Sequence, residues 1–255
     1  MTEQAGKAEQ FRKLHVPGKP LVLFNVWDAG SAKAVAQSEV KAIATSSWAV
    51  ADAHGFADGD HIPRPLAIDN LRRIVGVTEL PVTVDLESGY GDPPEVVGET
   101  IRLAIEAGSI GYNLEDSFPA DGKMRKTVDQ ADRIQRGRQV ADAASIRFFI
   151  NARTDVFLQR PAGEHNDAMV AEALERAQAY AQAGSDGLFA PGLTDIGLIA
   201  RLAKDSPLPL NIMVVNTTPP LRALAENGVA RVSYGGNSYV SNMKRLQEEA
   251  RAASV

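Results

Sequence analysis

The chain contains no cysteine. That excludes disulfides, cysteine-held zinc or iron–sulfur centres, and any thiol acting as nucleophile or acid. Basic charge is also in deficit: 27 Lys and Arg stand against 32 Asp and Glu, a net charge of -5. Such a balance makes no field that gathers DNA or RNA, and no nucleic-acid partner is expected. Histidine is scarce, four in 255 residues, and His54 and His61 lack the spacing of a metal-binding pair. No apolar run approaches the ~18 residues of a membrane span, so no membrane partner is expected. The opening residues MTEQAGKAEQFRKLH are polar and mixed in charge, unlike a signal peptide. A cytoplasmic location is the expectation.

What is present is a regular alternation. Short apolar runs fall at residues 21–25, 41–45, 81–85, 111–115, 147–151, 187–190, 208–213 and 231–234. Helical patterns fill the gaps at 29–38, 68–75, 94–107, 128–144, 167–183, 195–204, 219–226 and 238–253. Residues 1–20 read as a short helix and a turn. Three helix exits are alike, EAGSIG at 106–111, QAGSDG at 182–187 and ENGVAR at 226–231. In each, Gly or Asn ends a helix and a strand follows at once. Strands alternating with helices imply parallel pairing through right-handed crossovers. Eight such units predict an α/β fold of the (β/α)8 TIM-barrel type, with residues 1–255 as one domain. A doubly wound open sheet is the rival arrangement.

In such a barrel the chemistry gathers at the carboxyl ends of the strands. Asp85 ends the third predicted strand and Glu87 follows it. Glu115 ends the fourth, with Asp116 next. Arg153 follows the fifth in Asn151-Ala152-Arg153-Thr154-Asp155. Carboxylates crowded at a buried mouth repel one another and call for a cation, and an all-oxygen set with retained waters suits Mg²⁺. Arg153 is a planar fork for a substrate carboxylate. Asp116 and Asp155 read equally as helix caps or ion-pair partners. The second strand runs into Thr45-Ser46-Ser47-Trp48, small enough for backbone N–H groups to meet a ligand oxygen, or simply a capping turn. The Gly- and Asp-rich loop after it brings Asp58 towards the mouth. Residues 117–127, SFPADGKMRKT, are the candidate mobile lid, with Lys123, Arg125 and Lys126 placed to cover an anion, or else a solvated basic loop. The turn SGYGDPP is no phosphate loop, because GxGxxG is absent and no Lys-Ser or Lys-Thr follows.

Four motifs in order, ATSS at 44–47, PVTVDLESGYGD at 81–92, LEDS at 114–117 and NARTD at 151–155, resemble the isocitrate lyase/phosphoenolpyruvate mutase superfamily. The resemblance covers roughly residues 21–246. It implies a (β/α)8 barrel, a small carboxylic-acid substrate, and cleavage or rearrangement of a C–C or P–C bond through a pyruvate enolate. It implies Mg²⁺, or Mn²⁺ in its place, held by Asp85, Glu87 and Glu115 directly or through water. Asp58, Arg153 and Lys123 become the candidate catalytic residues. Ser46, Ser47, Trp48, Arg153 and Asn211 become the substrate contacts. Members of the superfamily pair or form tetramers by exchanging a C-terminal helix, so a homodimer or homotetramer is expected. The lid lacks the Cys that isocitrate and methylisocitrate lyases use as an acid, and the Asn of the phosphonate mutases. Decarboxylation asks least of such a lid. The leading expectation is therefore a Mg²⁺-dependent lyase of a small α-oxo or α-hydroxy acid, by decarboxylation or retro-aldol cleavage. The alternatives are a phosphoenolpyruvate/phosphonopyruvate mutase or hydrolase, and a non-catalytic oxo-acid-binding relative.

Overall fold

The computed structural model describes residues 2–254. All strand neighbours are parallel, in the order β1-β9-β8-β7-β6-β5-β4-β3-β2. Strands β1 (Leu21–Leu23) and β2 (Asn25–Val26) are two halves of one barrel strand. The first half pairs with β9 (Arg231–Ser233), the second with β3 (Ile43–Thr45). The split at Phe24 is the seam that closes the barrel. Asn25 holds it: its Oδ1 accepts from the N–H of Tyr234 and of Gly235, each at 2.9 Å, and its Nδ2 donates to Thr45 O at 2.7 Å. A side chain thus supplies the hydrogen bonds that the ladder gives up there.

The remaining strands are β4 (Val82–Asp85), β5 (Gly111–Glu115), β6 (Phe149–Arg153), β7 (Gly187–Phe189) and β8 (Leu210–Met213). The result is the expected (β/α)8 barrel. Helices follow as the periodicity predicts: α2 (Ala29–Ala36), α5 (Pro94–Glu106), α6 (Thr127–Ala143), α7 (Asp167–Gln182), α8 (Ile196–Asp205), α9 (Leu221–Glu226) and α10 (Asn237–Ala253). The similar helix exits have one cause. Gly108 and Gly184 sit at φ 96° and 98°, where a Cβ is strained. At Gly108 a Cβ would also lie 2.7 Å from Val75 Cγ1.

Several boundaries differ from the pattern; β3 and β8 each begin two residues late, at Ile43 and Leu210. Strand β6 begins at Phe149 rather than residue 147, because Arg147 is an exposed surface residue. Helix α4 (Arg64–Val75) starts a full turn before residue 68, with a proline in its first turn where no N–H is needed. A short helix α3 (Ser47–Ala53) occupies what the pattern leaves as loop. Helix α1 (Glu3–Lys13) closes the amino-terminal end of the barrel. Its Phe11 meets Phe149 edge-on at 5.5 Å, Arg12 pairs with Asp186 at 2.6 Å, and Gln4 donates to Ser109 O at 2.8 Å. Helix α10 does the reverse. Beyond Val240 it runs almost wholly exposed, with Val240 and Leu246 at 50% and 59%. No described helix is long and apolar enough to cross a membrane.

Candidate active site

Alternation along the strands turns every second residue inward. On β4 that face carries Asp85, on β5 Asn113 and Glu115, and on β6 Asn151 and Arg153. These groups line the barrel interior at the ends of neighbouring strands and fall into two contact clusters. Arg153 Nη1 lies 2.8 Å from Glu115 Oε2, while its Nε and Nη2 reach the two oxygens of Asp155 at 2.6 and 3.2 Å. Asp85 Oδ2 accepts from Ser47 Oγ at 3.1 Å, and its N–H donates to Thr45 Oγ1 at 2.9 Å. Asp85 and Asn113 are partners in the β4–β5 register.

Crowding is visible in the protonation of these acids. Burial holds Glu87 up at about 8, against the downward pull of the Asp60 N–H and helped by the charges of Asp58, Asp60 and Asp85. Glu115 is also raised, by burial first and by Asp155, Asp85 and Asp58, against the pull of Arg153. Asp85 and Asp58 move up for the same reason, loss of hydration outweighing the attraction of Arg153. Glu87 Oε1 is buried without a hydrogen-bond partner. Two loops are clasped around it. The Asp60 N–H donates to Glu87 Oε2, and Ser88 donates to Asp60 through both N–H and Oγ. Asp60, Glu87 and Tyr90 sit at φ 60°, 57° and 63°. Three such residues in adjoining loops mark a strained site that the surroundings must hold in place.

Among the described residues, no three Asp, Glu or His side chains converge closely enough to grip a metal ion on their own. A direct cage of Asp85, Glu87 and Glu115 is therefore absent. The donor set still fits Mg²⁺, which takes one or two carboxylates and keeps several waters. Four acids raised chiefly by burial, with an orphaned carboxylate oxygen among them, are the surroundings such an ion relieves.

The other predicted residues fall into place unevenly. Ser46 caps α3, accepting from the Ala49 N–H, and its own N–H is spent on Val26 O at 3.1 Å. The cradle expected of Ser46 is thus reduced to Ser47 and Trp48, whose first-turn N–H groups have no acceptor within the helix. The Trp48 indole packs on Gly236 and edge-on to Tyr239 at 5.8 Å, away from the acids. Asn211 is 1% exposed and wholly engaged: Oδ1 accepts from Asn151 at 3.1 Å, and Nδ2 donates to Ile212 O at 3.0 Å. Its amide is thus spent on partners inside the barrel. Lys123 points into solvent and pairs with Asp121 at 2.7 Å, so the structure does not bring it to the acids. Arg125, read as a lid cation, is buried; it stacks on Phe118 and pairs with Asp92 at 2.7 Å. Lys126 stays exposed beside α6. The expected lid is a closed turn in this conformation, bridged at Ser117 and Met124.

Two acids with an open reading resolve as braces. Asp155 clamps Arg153 from one side. Asp116, fully buried, accepts from the Asp155 N–H at 2.9 Å, from Tyr180 Oη at 2.7 Å and from Arg176 at 3.3 Å. Sequence reasoning passed over Asn113, which lies on the same inward face and accepts from Asn151 and Arg231. Its signal lay in the run GYNLE, where the two-residue period places it on the face of Glu115.

Known proteins match the chain over its whole barrel. The profile of the phosphoenolpyruvate phosphomutase family matches residues 11–254. A crystal structure of a Burkholderia cenocepacia J2315 protein, assigned as a phosphonomutase, is 52% identical and superposes with a TM-score of 0.95, covering 98% of this chain and 99% of that one. An uncharacterized protein of Mycobacterium tuberculosis is 33% identical over 96% of this chain and 88% of its own. The 2-methylisocitrate lyase of Escherichia coli K12 is 30% identical over 81% of this chain and 73% of its own. With its strand-end acids gathered around Arg153, the chain belongs to the phosphoenolpyruvate phosphomutase family of the isocitrate lyase/phosphoenolpyruvate mutase superfamily, as an enzyme of the lyase or phosphonomutase type.

Proposed function

We propose that the chain is a Mg²⁺-dependent lyase that cleaves a C–C bond beside the carbonyl or hydroxyl carbon of a small carboxylic acid, by decarboxylation or retro-aldol cleavage. The observation that carries this reading is the set of buried acids Asp58, Asp85, Glu87 and Glu115, all raised above their ordinary values, around a clamped Arg153. Asp85 would hold the ion directly, with Glu87 and Glu115 acting through water. Bound there, the ion would supply Lewis-acid stabilisation of the negative charge that grows on the carbonyl oxygen.

The chain's own residues do the rest. Asp155 occupies Nε and Nη2 of Arg153, so the guanidinium plane is set before a ligand arrives. A substrate carboxylate then competes with Glu115 for Nη1. This fixes the scissile bond relative to the acids, and positioning of that kind is worth several powers of ten in rate. The N–H groups of Ser47 and Trp48 orient a second oxygen. Lys123 has no part in this account.

Pyruvate formation tests it. Purified protein with Mg²⁺ is offered oxaloacetate, methylisocitrate, dimethylmalate and phosphonopyruvate, with Asp85→Ala as control. Pyruvate from one C–C substrate, lost with EDTA and in the variant, is the expected result. No pyruvate from the three C–C substrates would sink the lyase reading. The second reading is P–C chemistry, favoured by the 52% identity to a protein assigned as a phosphonomutase; phosphorus NMR of phosphonopyruvate and phosphoenolpyruvate decides it. We also propose a cytoplasmic homodimer or homotetramer, supported by the exposed apolar residues of α10, and light scattering reads its mass.

A further inference from the structure

The helix that follows the 117–127 turn carries a buried charge that the proposed reaction does not use. Arg133, on α6, is 1% exposed. Its donors go to neutral oxygens. Nη2 donates to Ser88 O and to Gly91 O, the second at 3.1 Å. Nη1 donates to Gln130 Oε1 at 2.7 Å and to Glu115 O at 3.5 Å. Nε has no acceptor among the described residues. Burial lowers the affinity of this guanidinium for its proton. A cation kept in such a place calls for a reason, because burial without a carboxylate partner is costly.

The reason lies in the segment after β4 that carries Glu87. Glu87, Gly89 and Tyr90 all take positive φ, at 57°, 97° and 63°. A left-handed run of that kind persists only where its surroundings over-determine it. Here the carbonyls are held in turn. Leu86 O accepts from the Gly89 N–H at 3.1 Å, and Gly89 O from Thr100 Oγ1 at 2.8 Å. Ser88 O and Gly91 O, on either side of Gly89 and Tyr90, both go to Arg133. A planar fork can bind these two and still meet the end of β5, where a single ammonium would have to choose. The bond at Ser88 O has a second consequence. With that peptide fixed, Ser88 presents its N–H and Oγ to Asp60, and the Asp60 N–H is the donor to Glu87 Oε2. One buried cation thus sets both the backbone beneath Glu87 and the loop that grips its carboxylate.

We propose that Arg133 is a positioning residue for Glu87, holding the segment between β4 and α5 in the one shape that presents the Glu87 carboxylate to a divalent cation beside Asp85. The assignment rests on the Mg²⁺ reading above. It adds to that reading a residue that touches neither ion nor substrate and acts through backbone carbonyls alone. Loss of Arg133 should therefore appear first as a loss of ion affinity, before any substrate is present.

Titration with Mn²⁺ followed by electron paramagnetic resonance tests it, since free ion is read directly and no turnover is needed. Wild type is expected to bind Mn²⁺, and Asp85→Ala to lose it. Arg133→Met should bind Mn²⁺ about tenfold more weakly. Arg133→Lys keeps the charge without the fork and should recover only part of that loss. Adding Arg133→Met to Glu87→Gln should cost little beyond Glu87→Gln alone, because both act through one carboxylate. Arg138→Met is the control for a merely structural role. Arg138 also lies on α6, but it bonds Gly184 O at 3.0 Å and Phe148 O at 2.9 Å, at the amino-terminal end of the barrel. Its loss should lower the melting temperature and leave Mn²⁺ affinity unchanged. Unchanged affinity in Arg133→Met would overturn the assignment while leaving the metal reading intact, as would fully additive losses with Glu87→Gln or an equal loss in Arg138→Met. Where Arg133→Met does not fold, Arg133→Lys decides, and wild-type affinity there would overturn the assignment. Failure of wild type to bind Mn²⁺ would overturn both.

Discussion

Two arginines stand inside the same barrel, and they are held in opposite ways. Arg153, at the end of β6, has carboxylates on both sides, Glu115 at 2.8 Å and Asp155 at 2.6 Å, and they raise its already high affinity for a proton. Arg231, at the start of β9, has an amide oxygen and an aromatic face, and burial lowers it to about 9. The difference teaches what each charge is for. A cation that must exchange partners with an incoming anion is kept among anions near the mouth, with a fifth of its side chain exposed. One that only orients neutral amides needs no counter-ion, and a counter-ion would compete with those amides for its donors.

The comparison can be broken in four ways. The largest effect is expected at the acids facing Arg153: Asp85→Ala should lower Mg²⁺-dependent pyruvate formation by about a thousandfold or more while the circular dichroism spectrum is unchanged. A variant within tenfold of wild type would remove Asp85 from the reaction. Next, the two arginines should differ in stability. Arg153→Met strands two buried carboxylates and should cost about 3 kcal/mol in urea denaturation. Arg231→Met removes an unpaired buried charge and should be neutral or stabilising by about 1 kcal/mol. Equal losses would erase the distinction drawn between them.

The third is a pH effect. Folded, Glu87 keeps its proton up to about pH 8, whereas its ordinary value is 4.5. Between those values the folded chain binds the extra proton. The stability tied to Glu87 is therefore whole below about pH 4.5 and is lost as pH rises through 8. Denaturation of the metal-free protein at pH 5.5 and 8.5 should show the fall, and Mg²⁺ should flatten it. A slope unchanged by Mg²⁺ would count against an ion at the acids. The smallest effect is expected at Lys123. Its pairing with Asp121 in solvent predicts less than about threefold change in turnover for Lys123→Ala, and a larger loss would mean that the 117–127 turn folds over the mouth.

Much of this architecture was legible from residue order. The (β/α)8 barrel followed from eight apolar runs and from helix exits whose glycines can take a positive φ, both local properties of the chain. Asp85, Glu115 and Arg153 followed too, because a strand's last inward residue reaches the mouth wherever the strand sits in the ring. Helix α3 did not follow, since Ser46 at its cap looks the same in a turn. Strand β6 was placed two residues early because Phe148 and Phe149 are apolar on either reading.

By itself, then, the sequence determined the barrel, the inward alternation and the identity of the acids, since each depends on spacing along one strand or helix. Only the tertiary structure decided that Arg125 is buried while Lys123 is not, that Asn211 is spent inside, and that the oxygen of Asn113 turns towards Arg231. Those outcomes depend on which strands become neighbours around the closed ring. An amide has two interchangeable ends, and its orientation is fixed by partners up to 118 residues away in sequence, as Arg231 is from Asn113.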